Sequence, residues 1–177
     1  LIPVSQNIFP KYFPTSDSRC MEYDVDEVLF ESKSKYQFVQ IVRTISYGNM
    51  LVLDGLQNIA EGDLIYTETL MQRKKLNYNG AEILILGGGD GALLYELLKE
   101  NPKFVTMVEI DEVVLKCCNQ HMKSICGNVL ENFNGDNYKI VVDDCCKEID
   151  KYISNGKKFD YIFGDLTDIP INDIGDN

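Results

Sequence analysis

The sequence predicts an α/β protein in two parts. A small antiparallel β domain covers residues 1–61, and a doubly wound parallel sheet, incomplete on its C-terminal side, covers residues 62–177. Three observations predict it. From Glu82 onward, short and continuously apolar stretches alternate with stretches of helical period, as in a parallel sheet covered on both faces. The first such stretch runs directly into Gly87-Gly88-Gly89-Asp90-Gly91, a loop that brings backbone N–H groups to the start of a helix. Ahead of it, the first sixty residues are rich in Val, Ile, Leu, Phe and Tyr and are broken by turn formers.

The β domain is expected to hold strands at Met21–Glu31, Tyr36–Ser46 and Asn49–Asp54, with turns at Ser32–Lys35 and Tyr47-Gly48-Asn49. Val39, Ile41 and Ile45 share one face of the second strand, as strand periodicity requires. Leu64–Lys75 changes to a helical period, with Leu64, Ile65, Thr67, Leu70 and Met71 grouped. Arg73-Lys74-Lys75 falls in its last turn, where cations suit the helix dipole. Glu82–Leu86 is then a strand, followed by a helix with Leu93, Leu94, Leu97 and Leu98 on one side. The alternation continues with a strand at Phe104–Ile110, a helix at Glu112–Met122 and a strand at Tyr138–Val142. It closes with a helix at Cys145–Ile153 and a strand at Phe159–Phe163. Four parallel strands are few for such a domain, and Leu1 begins neither with an initiator Met nor with a signal peptide. A longer parent chain, truncated at both ends, is the expectation.

Composition restricts the partners. The 17 Lys and Arg against 28 Asp and Glu leave a net charge of −11, which disfavours nucleic acid and an anionic membrane surface. The charge is uneven, with 8 basic and 10 acidic residues over 1–80 but 9 and 18 over 81–177. A cationic partner for the second half is one reading, and ordinary solubilising charge is the other. No apolar run is long enough to span a bilayer. Six cysteines without a CxxC pair, and a single histidine at His121, make a poor zinc pattern, so no metal is expected. Reduced thiols in a cytoplasmic protein are expected, with His121 at a helix edge.

Position sharpens the charge. In an open α/β sheet, ligands bind beyond the carboxyl ends of the strands. Those ends carry Gly87–Gly91, then Glu109 and Asp111, then Asp143 and Asp144, then Asp165. Gly87-x-Gly89-x-x-Ala92 satisfies a dinucleotide fingerprint, and Glu109 stands where a ribose-binding acid belongs. The same pattern fits a nucleoside without pyrophosphate. Asp90 favours the second case, because a carboxylate in the loop repels a pyrophosphate and attracts an ammonium. It can also serve as a helix N-cap. Glu109 can accept both hydroxyls of a ribose diol, and Asp144 an adenine amino group. Asp165 is placed best to face a reacting centre.

Together these residues resemble the polyamine aminopropyltransferases, the spermidine/spermine synthase family, and within it the spermine synthase branch. Leu86-Gly87-Gly88-Gly89-Asp90-Gly91 resembles the family's glycine loop and Met107-Val108-Glu109-Ile110-Asp111 its ribose strand. Tyr12-Phe13-Pro14-Thr15, Glu22–Val28, Tyr36-Gln37, Gly48-Asn49 and Ala60–Thr67 are similar too, so the likeness spans about residues 10–171. Asp165-Leu166-Thr167-Asp168-Ile169-Pro170-Ile171 and Tyr66-Thr67 resemble the spermine branch, where spermidine synthases show Asp-Ser-Ser-Asp-Pro and Tyr-Gln. Gly164 and Ala92 depart from the family pattern, which has Asn and Gly there.

The resemblance implies a Rossmann-like, S-adenosylmethionine methyltransferase-like domain. It implies transfer of an aminopropyl group from decarboxylated S-adenosylmethionine to spermidine, giving spermine and 5′-methylthioadenosine, with no metal or redox cofactor. Spermidine synthesis from putrescine, or methyl transfer from S-adenosylmethionine, are the alternatives. Carried over by position, Gln37, Gly87, Gly89, Glu109, Asp144 and Cys145 would hold the nucleoside, Cys145 through its backbone. Tyr66 and Asp90 would contact the amine-bearing parts of the substrates, and Asp165 would be the general base. The resemblance also implies a homodimer, with a dimerisation domain ahead of Leu1, and weak or absent turnover by these 177 residues alone.

Overall fold

A computed structural model describes residues 11–14 and 19–166. Ten strands and five helices follow one another in it, forming a two-stranded ribbon, a four-stranded antiparallel sheet and a four-stranded parallel sheet. The ribbon pairs β1 (Tyr12–Pro14) with β2 (Cys20–Glu22). The antiparallel sheet runs β3-β4-β5-β6, from β3 (Val25–Lys33) through β4 (Phe38–Thr44) and β5 (Gly48–Leu53) to β6 (Leu56–Ala60).

The expected strand Met21–Glu31 is thus two strands with different partners, β2 on β1 and β3 on β4. The chain changes direction at Tyr23-Asp24, where the Asp24 carboxylate accepts from the backbone N–H and hydroxyl of Ser46. Strand β6 is absent from the sequence expectation. It follows a two-residue turn at Asp54-Gly55 with φ of 50° and 79°, the backbone a tight hairpin demands. Ile45 does not enter the core. Strand β4 ends at Thr44, and Ile45 is 75 % exposed in the turn that follows.

Helix α1 (Leu64–Leu70) stops five residues short of the expected Lys75. Gln72 and Lys74 take positive φ of 48° and 68°, which breaks the helical path. Arg73 is therefore not in a helical last turn. Its guanidinium instead binds Glu68 at 2.8 Å, buried Glu96 at 2.7 Å and Glu100 at 3.3 Å, tying α1 to the following domain.

That domain has the expected alternation: β7 (Glu82–Gly87), α2 (Ala92–Leu98), β8 (Phe104–Glu109), α3 (Glu112–His121), short α4 (Lys123–Cys126), β9 (Tyr138–Val142), α5 (Cys145–Ser154) and β10 (Tyr161–Asp165). All four strands are parallel, in the order β10-β7-β8-β9. The last strand lies two residues further along than expected, which carries Asp165 into register with Gly87. Leu93, Leu94 and Leu97 of α2 are fully buried against the sheet.

One apolar cluster joins the two sheets, combining Val39, Ile41, Leu51 and Ile59 with Ile83, Ile85, Leu93, Met107 and Leu115. The opposite face of the antiparallel sheet, Val42, Met50, Val52 and Ala60, packs beneath Phe13 of the ribbon. His121 closes α3 as a half-buried residue beside the Phe30 ring, at 6.3 Å between centroids. The six cysteines are free thiols, with Cys117, Cys118 and Cys126 buried. Among the described residues, no helix is long and apolar enough to cross a membrane.

A polar tie complements the apolar one. Asp111 caps α3 by accepting the Val113 N–H at 3.0 Å. Its other oxygen accepts from Ser34 Oγ at 2.6 Å and Gln37 Nε2 at 3.0 Å, both from the antiparallel sheet's β3–β4 connection. Asp111→Ala removes the cap and leaves two donors without this acceptor, so we expect a loss of about 2–4 kcal/mol in urea unfolding. Asp111→Asn, which retains capping capacity, should lose about half as much.

Candidate active site

Strand β7 ends where the glycine loop begins, between the ends of β10 and β8. Two glycines are required there by close approach. A Cβ on Gly87, whose φ is 84°, would lie 2.1 Å from the Asp165 carbonyl oxygen. A Cβ on Gly89 would lie 2.8 Å from Glu109 Oε2. The Gly88 N–H donates to the Asp165 carbonyl at 2.9 Å, fixing the loop to β10.

Around this loop the fold gathers Asp90, Glu109 and Asp165. Asp90, only 7 % exposed, accepts the Ala92 N–H through Oδ1 at 2.8 Å. It therefore satisfies the start of α2, although Gly91 occupies the N-cap position itself. Glu109, 8 % exposed, accepts the Asp111 N–H at 2.8 Å. Asp165 is half-buried, and the Tyr66 hydroxyl of α1 donates to its carboxylate.

Burial raises the pKa of all three acids, and neighbouring charges add to it at Glu109 and Asp165. Burial pushes Asp165 up to about 7, helped by the charges of Asp90 and Glu109, and the Tyr66 hydrogen bond opposes the shift. Burial pushes Glu109 up to about 7 as well, with the charges of Asp111 and Asp90 adding to it. Asp90 is raised by burial against the pull of its Ala92 hydrogen bond. Near neutral pH the cluster is partly protonated and short of positive charge. A cation placed among these groups would relieve their repulsion, and Asp165 can exchange a proton at that pH.

The other sequence candidates lie on the adjoining edge. Asp144 caps α5, accepting the Cys146 N–H at 2.8 Å, and half-buried Cys145 opens the helix with its thiol pKa raised by burial and by Cys146. The Asp143 N–H donates to the Glu109 carbonyl at 3.2 Å, so this edge adjoins the ribose-strand acid. Gln37 reaches the site from the antiparallel sheet and donates its amide to Asp111, not to the glycine loop. Asp111 appears in the sequence only as one more strand-end acid, and its joining role escapes sequence reasoning. An acid immediately before a helix signals the cap, but nothing local signals Ser34 or Gln37 as its partners. Thr167, Asp168, Ile169, Pro170 and Ile171 lie outside the described residues. Two open hollows, of about 610 and 950 Å³, lie elsewhere: one on the ribbon side of the small sheet, the other at the opposite edge of the parallel sheet around Glu82 and Lys103.

A parallel sheet with a glycine loop after its first strand and acids at its carboxyl edge defines a Rossmann-like domain. Residues 63–175 match the family model of the spermine/spermidine synthase domain, and residues 10–61 match that of the spermidine synthase tetramerisation domain. The chain belongs to the spermine/spermidine synthase family. It is 34 % identical over 154 residues to a polyamine aminopropyltransferase of Shigella boydii, covering 82 % of this chain and 50 % of that protein. To the polyamine aminopropyltransferase of Sulfurisphaera tokodaii it is 38 % identical over 152 residues, covering 84 % and 48 %. The chain thus spans about half the length of these relatives.

Solved structures share the fold. A spermidine synthase in complex with the transition state analogue AdoDATO superposes with a TM-score of 0.75 at 23 % identity, over 89 % of this chain and 53 % of that one. The spermidine synthase of Thermotoga maritima gives 0.76 at 23 % identity, over 88 % and 53 %. The tetramerisation-domain match falls on the residues of the ribbon and the small antiparallel sheet.

The raised acids set a pH dependence of stability. Their folded pKa values, about 7 for Glu109 and Asp165, exceed the unfolded carboxyl values of about 4. The folded state therefore holds protons that the unfolded state releases. Stability from this source is fully present below about pH 4 and is lost as pH rises through about 7. Thermal melts should show the midpoint falling between pH 5 and pH 8, and Glu109→Gln or Asp165→Asn should flatten that fall.

Proposed function

We propose that this chain forms the donor-binding half of an aminopropyltransferase site, in an enzyme that makes spermine from spermidine and decarboxylated S-adenosylmethionine. One observation carries the reading: three acids of raised pKa surround the glycine loop of a member of this family, and burial pushes Asp165, the family's general-base position, up to about 7. Glu109 would hold the ribose diol, Asp144 and the Cys145 backbone the adenine, and Gly87 and Gly89 would allow the close approach. Gln37 would act from beside Asp111. Asp90 would face the donor's amine.

The chemistry fits those roles. The attacking amine must be neutral, and removing a proton from an amine of pKa about 10.4 at pH 7 costs roughly 4.6 kcal/mol. An acid titrating near 7 is suited to accept that proton. Displacement at the carbon beside the sulfonium then depends mainly on alignment. Tyr66, hydrogen-bonded to Asp165, is placed to steady the base while its ring packs against an alkyl chain or ammonium. Asp90 should disfavour a donor that still carries its carboxylate, which argues against methyl transfer from S-adenosylmethionine.

The spermine assignment rests on Tyr66-Thr67 and on the segment from Asp165 to Ile171. Spermidine synthesis from putrescine is the second reading, favoured by the two spermidine synthases that share the fold. Assembly through residues 10–61 is also proposed, as a dimer or a tetramer. Turnover by the 177 residues alone is expected to be weak or absent, so binding is the first test.

Calorimetry should show the decarboxylated donor binding at least tenfold more tightly than S-adenosylmethionine, a difference of about 1.4 kcal/mol or more. The reverse order would overturn the reading. Because a cation lowers the raised pKa values, donor binding near pH 7 should release protons, seen as an enthalpy that varies with the buffer's ionisation heat. Asp90→Asn should diminish that release. In a chain extended to the relatives' length, mass spectrometry decides the acceptor. Spermine formed from spermidine supports the first reading, and spermidine formed from putrescine alone supports the second. Asp165→Asn should lower kcat by about 10²–10⁴.

A further inference from the structure

The geometry points to a binding site for a thiophilic divalent cation, Zn²⁺ or Cd²⁺, formed by Asp144, Cys145 and Cys146 at the start of α5. One carboxylate oxygen and the two Sγ atoms all lie within 4.8 Å of one another. In a tetrahedral site with metal–sulfur bonds of about 2.3 Å and metal–oxygen bonds of about 2.0 Å, neighbouring donors stand roughly 3.5–3.8 Å apart. Cys146 is exposed, so its side chain has room to rotate toward the other two donors. The carboxylate is already oriented, since Oδ1 accepts the Cys146 N–H at 2.8 Å and the second oxygen is not used in that bond.

The donor set selects the metal. Two thiolates and one carboxylate suit Zn²⁺ or Cd²⁺ and not Mg²⁺ or Ca²⁺, which take oxygen. Three anionic donors around a divalent cation leave a net charge of −1, which the positive end of α5 favours. Adjacent cysteines are a poor sequence signal, because the usual zinc spacing separates the two thiols. Here the first helical turn brings them together with the capping acid. Asp144 and Cys145 are also the residues given to the adenine in the function proposed above. To the extent that reading holds, metal and nucleoside would exclude each other, and the metal would act as an inhibitor.

The test is titration of the reduced protein with Cd²⁺, following the ultraviolet thiolate-to-cadmium charge-transfer band. One equivalent should saturate the band. Cys145→Ser and Cys146→Ser should each remove about half of it and weaken binding at least tenfold. Asp144→Asn, which preserves a helix cap, should weaken binding with the band intact. Cys20→Ser, at an exposed thiol remote in sequence, should change nothing. Cys146 is exposed, so its variant carries the test should Cys145→Ser fail to fold. A full band in the double variant, no band at ten equivalents, or unchanged affinity in Asp144→Asn would overturn the site. Addition of 5′-methylthioadenosine should suppress the band in proportion to its occupancy. A band that forms normally but ignores the nucleoside would leave the metal site standing and remove the shared position.

Discussion

Like charges withdrawn from water govern the architecture of this protein's carboxyl edge. Asp90, Glu109 and Asp165 converge on one loop, burial raises the pKa of each, and the charge of Asp90 raises the other two further. Such a cluster persists only if surrounding structure holds it, because repulsion and desolvation both favour opening. The holding groups are visible. Backbone N–H groups of Ala92 and Asp111 bind two of the acids, and the Tyr66 hydroxyl binds the third. The loop has no side chains at Gly87 and Gly89 because the space is taken by Asp165 and Glu109 themselves.

The antiparallel sheet is built into the parallel sheet's site. It shares the main apolar cluster with the parallel sheet and sends Ser34 and Gln37 to Asp111, whose N–H holds Glu109. Helix α1 adds Tyr66 on one side and, just beyond its end, the Arg73 ion pairs on the other. Elements from the first half of the chain thus position acids that belong to the second. A substitution at residue 34 or 37 acts on the site through Asp111, without reaching the glycine loop.

How legible this was in the sequence depends on the range of the deciding interaction. Apart from short α4, for which there was no expectation, the strands and helices of the parallel sheet's domain lie within two residues of their expected bounds, because apolar runs and helical period are local signals. The acids were legible for the same reason, since strand ends can be counted. Strand β6 carried a local signal, Asp54-Gly55, that went unused. The split of Met21–Glu31 had no local signal, because it depends on which partner each half pairs with. The early end of α1 is set by positive φ at Gln72 and Lys74, side chains that do not advertise it. Ser34 and Gln37 meet Asp111 across 77 and 74 residues, a separation at which composition and spacing carry no information.

Strand β10 is hydrogen-bonded to β7 alone among the described strands, and Asp165 is its last residue. The Gly88–Asp165 bond therefore acts as a latch between the strand end that carries this acid and the glycine loop. Amide exchange at Gly88 would then report the opening of that latch. The fidelity of Asp165's placement becomes a question of how firmly that strand end is held as much as of charge.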